Sequence, residues 1–304
     1  MAYRFNLNSM PKENVVVCRF KGNVIMSSQN LIQIIGHQKS GKSLVSTDIL
    51  VGALTGDSTE LGFNFVKVPE GKKVYYFDTE MSESEFFERM KKVAEISGGS
   101  DQLEAYNLIE ESYKERVSYI HQESVNDAHI IIVDGVVDLC KNFNDEEESL
   151  KVIAALKTVA MRNNCPVVAI LHTNPGERFS GDTKGKGHLG TLLSNKVQST
   201  IVLQKLKSDV FKMSFKDLRN SGKIDESVYF EYDEKRIYRK SDKSTDRTIE
   251  DIIIKGVRNS PMTSKEIYNY VLGYKSVSWP TVTRAISKIN KIQKNKNNKY
   301  TYVN

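Results

Sequence analysis

Read for its hydrophobic rhythm alone, the chain alternates short apolar runs with longer amphipathic stretches. LIQII (31–35), KKVYYFD (72–78), HIIIVD (129–134) and CPVVAIL (165–171) are near-continuous apolar segments of strand length. Between them lie helical patterns: KSLVSTDILVGAL (42–54), a stretch over 81–97, one over roughly 110–125, and EEESLKVIAALKTVAMRN, whose acidic start suits a helix N-terminus. In 81–97, Ser82 and Glu85 have capping-box spacing, and Phe86, Met90, Val93 and Ala94 share a face. Strands apolar on both faces, separated by helices, predict a parallel sheet covered on both sides, an α/β fold. A small hairpin over 15–26, turning at Gly22-Asn23, precedes it.

After residue 172 the rhythm changes. NPGERFSGDTKGKGHLG (174–190) has no periodicity and reads as a loop. Strands near 199–206, 210–217, 227–232 and 236–239 come next at turn-like spacing, which predicts an antiparallel extension of the sheet. Residues 241–248 are polar and predict a linker between a core at 1–240 and a small domain at 249–304. That last segment reads as three short amphipathic helices and then a hairpin turning at Asn297-Asn298, a winged-helix pattern. On its third helix, Val282, Ile286 and Ile289 should face inward, while Ser278, Thr281, Thr283, Arg284 and Lys288 face outward. Trp279 is expected in the core or as a staple at the helix start.

Composition adds three points. No apolar run among the 304 residues approaches the ~20 that span a bilayer, and the N-terminus lacks a signal-peptide core, so a cytoplasmic location is expected. Cys18, Cys140 and Cys165 are scattered and form no CxxC pair, which argues against a disulfide framework or a zinc site. The net charge of +6 is unevenly spread: residues 244–304 hold eleven Lys/Arg against four Asp/Glu, so the positive excess sits at the C-terminal end. Such asymmetry points to a polyanionic partner, or in the blander reading to a solvated basic tail.

The strongest chemical signal is GHQKSGKS. Gly36, His37, Gln38, Lys39, Ser40, Gly41, Lys42, Ser43 and the adjoining Leu44 fit the phosphate-binding loop pattern G-x-x-x-x-G-K-[ST], placed between a buried strand and a helix. Backbone N–H groups would cradle the phosphates of ATP, Lys42 would reach the β and γ phosphates, and Ser43 would ligate Mg²⁺. His37 stands where partition-type ATPases carry a signature lysine, which argues against that group. The strand ending at Asp134 supplies a second metal ligand. Many nucleotide hydrolases place a glutamate directly after that aspartate; here the position is Gly135. The water-activating base must then come from a neighbouring strand end. FDTEMS offers Glu80, with the alternative that Glu80 caps the next helix and Asp78 faces the metal.

With these residues in view, the chain resembles the RecA-like superfamily of P-loop ATPases. The resemblance is to the hexameric-helicase branch, especially RepA-type replicative helicases of plasmids and mobile elements, over roughly residues 15–240. It rests on the P-loop, a glutamate after the next strand, an aspartate with no glutamate behind it, and CPVVAILHTN. It implies a homo-oligomeric ring that binds DNA. It also implies that His172 senses the γ-phosphate, and that the loop carrying Arg178, Lys184 and Lys186 contacts single-stranded DNA. Such rings insert a basic finger into the neighbour's site. Family members carry Lys-x-Arg near a late strand, whereas FKMSFKDLRNSG spaces Lys216 and Arg219 by two residues, and Lys205 and Lys207 are rivals. On the C-terminal domain, Arg284 and Lys288 are candidates for duplex DNA, with Lys294, Lys296 and Lys299 on the wing.

Overall fold

Burial accounts for the strands. In the computed structural model every residue of Ala128–Asp134 is buried, and so is every residue of Leu31–Gly36. Each buried branched side chain contributes about 1.5–3 kcal/mol, so these runs anchor the sheet. The structure describes residues 12–99, 101–124, 126–174, 183–206, 210–219, 221–233, 237–240, 249–272 and 277–303. The chain divides into two compact units, Met1–Lys240 and Ser241–Asn304; the expected linker, 241–248, lies outside the described residues.

The first unit runs β1 (Val16–Phe20), β2 (Asn23–Ser27), β3 (Leu31–Gly36), α1 (Lys42–Thr55), β4 (Phe63–Phe65), β5 (Lys73–Asp78), α2 (Glu83–Ile96), β6 (Leu103–Asn107) and α3 (Tyr113–Glu123). It continues with β7 (Ala128–Asp134), a 3₁₀ turn (Val136–Leu139), α4 (Glu146–Asn163), β8 (Val167–His172), α5 (Gly187–Ser194), β9 (Ser199–Lys205), β10 (Val210–Lys216), β11 (Val228–Asp233) and β12 (Ile237–Lys240). The main sheet has nine strands in the order β12-β11-β10-β9-β3-β8-β7-β5-β6. From β6 to β9 neighbours are parallel; β10, β11 and β12 add antiparallel strands at one edge. One core lies on the face of α1 and α2, beneath a small sheet ordered β2-β1-β4. The other lies on the face of α3, α4 and α5.

Three elements escape the hydrophobic rhythm. β4 is a three-residue strand, FNF, whose partners are the hairpin rather than the main sheet. β6 is an edge strand with every residue half-buried, so LEAYN shows neither a continuous nor an alternating apolar pattern. α5 replaces the expected loop over its residues; GHLGTLLS opens on glycine and is only eight residues long, yet it buries Leu189 and Leu193. Cys18 and Cys165 are buried free thiols, and burial pushes Cys165 up to about 12. No helix of the described residues is long and apolar enough to cross a membrane.

The second unit comprises α6 (Ile249–Asn259), α7 (Ser264–Leu272), α8 (Trp279–Lys288), β13 (Ile292–Lys294) and β14 (Tyr300–Tyr302), the strands pairing as a hairpin. Thr263 and Glu266 cap α7 reciprocally, and Asn298 takes the left-handed conformation (φ 60°) at the hairpin turn. Val282, Ile286 and Ile289 are buried beside Ile253 and Ile267. Trp279 is not a core residue. It is 42% exposed and set edge-on to Tyr268 at the start of α8, the staple position rather than the interior.

Candidate functional site

β3 delivers the P-loop and α1 leaves it. Gly41 precedes α1 with φ 89°, and a Cβ there would press on Phe211 at 3.1 Å and Phe230 at 3.3 Å, so the turn into the helix requires glycine. The loop opens onto a cleft of about 520 Å³ whose walls include Lys42, Ser43, Asp78, Glu80, Asp134 and His172. The residues picked from sequence as the metal and base apparatus therefore share one cleft.

Lys42 Nζ donates to the carbonyls of Gly36 (3.2 Å) and His37 (2.8 Å) and lies 3.0 Å from His172 Nδ1. An ammonium has donors only, so Nδ1 accepts and the ring proton sits on Nε2. Nε2 then donates to Glu80 Oε2 at 3.3 Å. His172 thus bridges the P-loop lysine and the candidate base. Burial pulls the Lys42 pKa down, opposed by the carboxylates of Asp134 and Glu80. The hydrogen bond from His172 holds Glu80 below the usual glutamate value, so Glu80 is a carboxylate at neutral pH. Thr173, next along, bonds through its hydroxyl to His37 Nδ1 at 2.7 Å, tying β8 to the second loop position.

β5 and β7 pair in register, with Asp78 opposite Asp134. Asp78 Oδ1 accepts from the backbone N–H groups of Glu80 (3.0 Å) and Met81 (2.7 Å), which shapes the turn that presents Glu80. Helix α2 is capped by Ser82 with Glu85, not by Glu80, so Glu80 is left to the cleft. Asp78 Oδ2 approaches the Tyr76 hydroxyl at 3.1 Å, and Asp134 Oδ2 lies 2.9 Å from the same hydroxyl. Burial, then the neighbouring Asp134, pushes Asp78 up to about 6.

Gly135 explains why no carboxylate comes after Asp134. Its φ is 90°, and a Cβ there would fall 2.0 Å from Thr79 Oγ1 and 3.0 Å from Glu80 Cγ. Thr79 in turn bonds to the carbonyls of Asp134 and Gly135 and to Asp138 Oδ2 at 3.0–3.1 Å. The β5 turn carrying Glu80 fills the space a side chain at 135 would need.

Two groups, one lining the cleft and one buried behind it, are missed by sequence reasoning. Arg89 of α2 spans the site: it donates to Ser43 O (2.9 Å), to Ser46 and Thr47 of α1, and to the Tyr76 hydroxyl (2.6 Å), and it lies 3.5 Å from Asp134 Oδ2. Its sequence signal is a charge beside Phe86, Met90 and Val93 on an otherwise apolar helix face. Tyr76 is hidden as one more apolar strand residue; burial pushes its phenol well up, so it stays protonated.

The donor set fits Mg²⁺. The Ser43 hydroxyl and the Asp134 carboxylate are hard oxygen groups on one cleft, and a single guanidinium reaches the backbone of one and the side chain of the other. Among the described residues no cluster of three or more His, Cys, Asp or Glu could hold a metal by itself. The Ser40 hydroxyl, inside the P-loop, is buried without a hydrogen-bond partner among the described residues.

The other expected residues lie elsewhere. Lys216 bonds to Thr183 O and pairs with Asp217 at 3.5 Å; Arg219 bonds to Asn195 O. Both sit near the start of β3, at the end of the sheet away from their own P-loop, because Lys216 pairs with Thr200 and Thr200 with Gln33. Lys186 precedes α5 with Nζ 4.7 Å over the Phe143 ring, and its N–H donates to His172 O at 2.7 Å. Lys184 lies two residues before it; Arg178 and Lys207 lie outside the described residues. Arg284 and Lys288 are exposed on α8.

Comparison with known proteins bears on the family and the fold. The family described as an AAA domain matches residues 21–177, more than half of the 304. No curated protein matches the sequence. In structure the chain is similar to one titled "Crystal structure of the RadB recombinase", with a TM-score of 0.50 at 16% identity, covering 71% of this chain and 92% of that one. At that identity the likeness is one of fold, a RecA-like core with a mainly parallel sheet. The chain belongs to the AAA-domain family, as a P-loop ATPase on a RecA-like fold.

Proposed function

We propose that the protein hydrolyses ATP with Mg²⁺ and couples that hydrolysis to DNA, acting as a ring-forming replicative helicase of the RepA type. The observation that carries the hydrolytic part is the Lys42–His172–Glu80 chain beside Asp134. In this reading Glu80 takes the proton of the attacking water, and Lys42 neutralises charge on the phosphates. A Mg²⁺ ion held by Ser43 and Asp134 would add charge neutralisation at the transferred phosphoryl group. When Lys42 turns from His172 toward phosphate, His172 Nδ1 loses its donor. His172 O holds the N–H of Lys186, so that exchange would reach a residue assigned to single-stranded DNA.

The second unit is read as a winged helix that meets duplex DNA. Thr281, Thr283, Arg284, Ser287 and Lys288 are exposed on one face of α8, and Lys294 and Lys296 on the hairpin. Hydroxyl and basic side chains on an exposed helix suit phosphate and groove contacts. Lys216 and Arg219, remote from their own P-loop, are the candidates to serve a neighbour's site in a hexameric ring.

A recombination mediator that does not unwind is a second reading, favoured by the fold shared with a protein titled as a recombinase. A forked duplex separates them. The helicase reading expects ATP-dependent strand separation, lost in Lys42→Ala, and a ring-sized mass with ATP and single-stranded DNA. ATP turnover with no unwinding on any fork polarity would leave the mediator. Absence of turnover would overturn both.

A further inference from the structure

A further cation stands on the far side of the P-loop. β9 lies beside β3, and Leu203 pairs with Gly36, the first residue of the loop. Side chains alternate along a strand, and Ile201 and Leu203 face the core that holds α1. Lys205, two residues on, therefore emerges on that same face just past Gly36. It pairs with Phe211, whose ring packs against Gly41 of the loop, and it lines the nucleotide cleft together with Lys39 and Lys42. The P-loop is thus flanked by His172 on the β8 side and by Lys205 on the β9 side.

We propose that Lys205 contacts the polyphosphate of the nucleotide bound to its own subunit, as a second cation in cis. The inference rests on the ATPase reading and deepens it. It separates the two groups of basic residues that lie beyond β8. Lys216 and Arg219 lie toward the opposite end of β3, roughly 15–20 Å away along the strand direction, remote from their own subunit's nucleotide cleft. Lys205 stands at its own. A single charge-assisted hydrogen bond to phosphate is strong enough to matter for affinity.

The test compares wild type, K205A, K205R and K42A by titration with a fluorescent ATP analogue and by steady-state turnover. K205A should bind the analogue about tenfold more weakly or worse, with K205R recovering much of the loss. K205A is then mixed in equal amounts with K42A. If Lys205 acts in cis, every site in the mixture still lacks one lysine, and the mixture gives only the mean of its two parts. Turnover well above that mean would show Lys205 reaching a neighbour's site and would overturn the proposal. So would K205A binding like wild type. Should K205A lose its fold on melting, K205Q takes its place in both measurements. Wild-type protein that binds no ATP analogue would sink the ATPase reading itself, a result distinct from a silent K205A.

Discussion

β5 and β7 lie side by side, run parallel and reach the cleft in register, each ending in an aspartate. Past the aspartates the two strands diverge. After Asp78 come Thr79 and Glu80, folded into a turn by hydrogen bonds to the Asp78 carboxylate. After Asp134 comes Gly135, left-handed and crowded by that same turn. One strand end has become a backbone scaffold that holds out a glutamate; the other keeps its carboxylate in the cleft, steadied by Tyr76 and Arg89. Of the two turns, only the one after Asp78 has room for a side chain at the cleft; the one after Asp134 is closed by Thr79 and Glu80.

The most disruptive way to break this division is to restore the missing carboxylate. Gly135→Ala adds a left-handed strain and a clash with Thr79, together worth about 3 kcal/mol or more. In the ATPase unit that should lower the melting temperature by roughly 6–12 °C. Gly135→Glu should do at least as much and should not rescue a Glu80→Gln variant. A normal melting temperature in Gly135→Ala would mean the two turns are not in contact.

Asp78 sharpens the comparison through pH. Its carboxyl is nearly fully buried and raised to about 6, above the ordinary 3.8. The folded state therefore holds that proton more tightly than the unfolded one. Its stabilising contribution is whole below about pH 4 and is lost as the pH climbs through 6, a swing of about 3 kcal/mol at most. Metal-free melting curves of Asp78→Asn should lack that part of the pH dependence. At pH 8 Asp78→Asn should keep much of the ATP turnover, since an amide oxygen can still accept from Glu80 and Met81, whereas Asp78→Ala should lose more. Abolition by Asp78→Asn alone would move the catalytic role from Glu80 to Asp78.

The smallest effect is expected at Tyr76. Tyr76→Phe removes the hydroxyl that meets both aspartates and the Arg89 guanidinium, at a cost of about 1–2 kcal/mol in stability. Turnover should fall only modestly, read as a change in KM for Mg·ATP more than in kcat.

Much of this is legible in the residues. The P-loop, Asp134, Glu80 and His172 stand out because each closes an apolar strand or follows one within two residues, and a parallel sheet gathers such ends at one edge. The two-unit layout shows in the change of rhythm and charge near residue 240. Tyr76 is not legible, since a buried tyrosine in YYF looks the same whether its hydroxyl meets carboxylates or nothing. Arg89 requires knowing that α2 lies over α1. β6 and α5 escape because an edge strand and a short glycine-led helix each bury too little to leave a pattern. The steric reason for Gly135 lies wholly in the packing of one turn on another, which no single-strand motif records.

The division of labour between the two strand ends is tested most directly by Glu80→Gln, assayed for ATP binding and single-turnover hydrolysis in the same preparation. The amide keeps the shape and an acceptor for His172 but cannot take a proton. Binding should stay within a few-fold of wild type while the hydrolytic rate falls by about 10²–10⁴. Full hydrolysis in Glu80→Gln would contradict the account, and the catalytic water would belong to another residue.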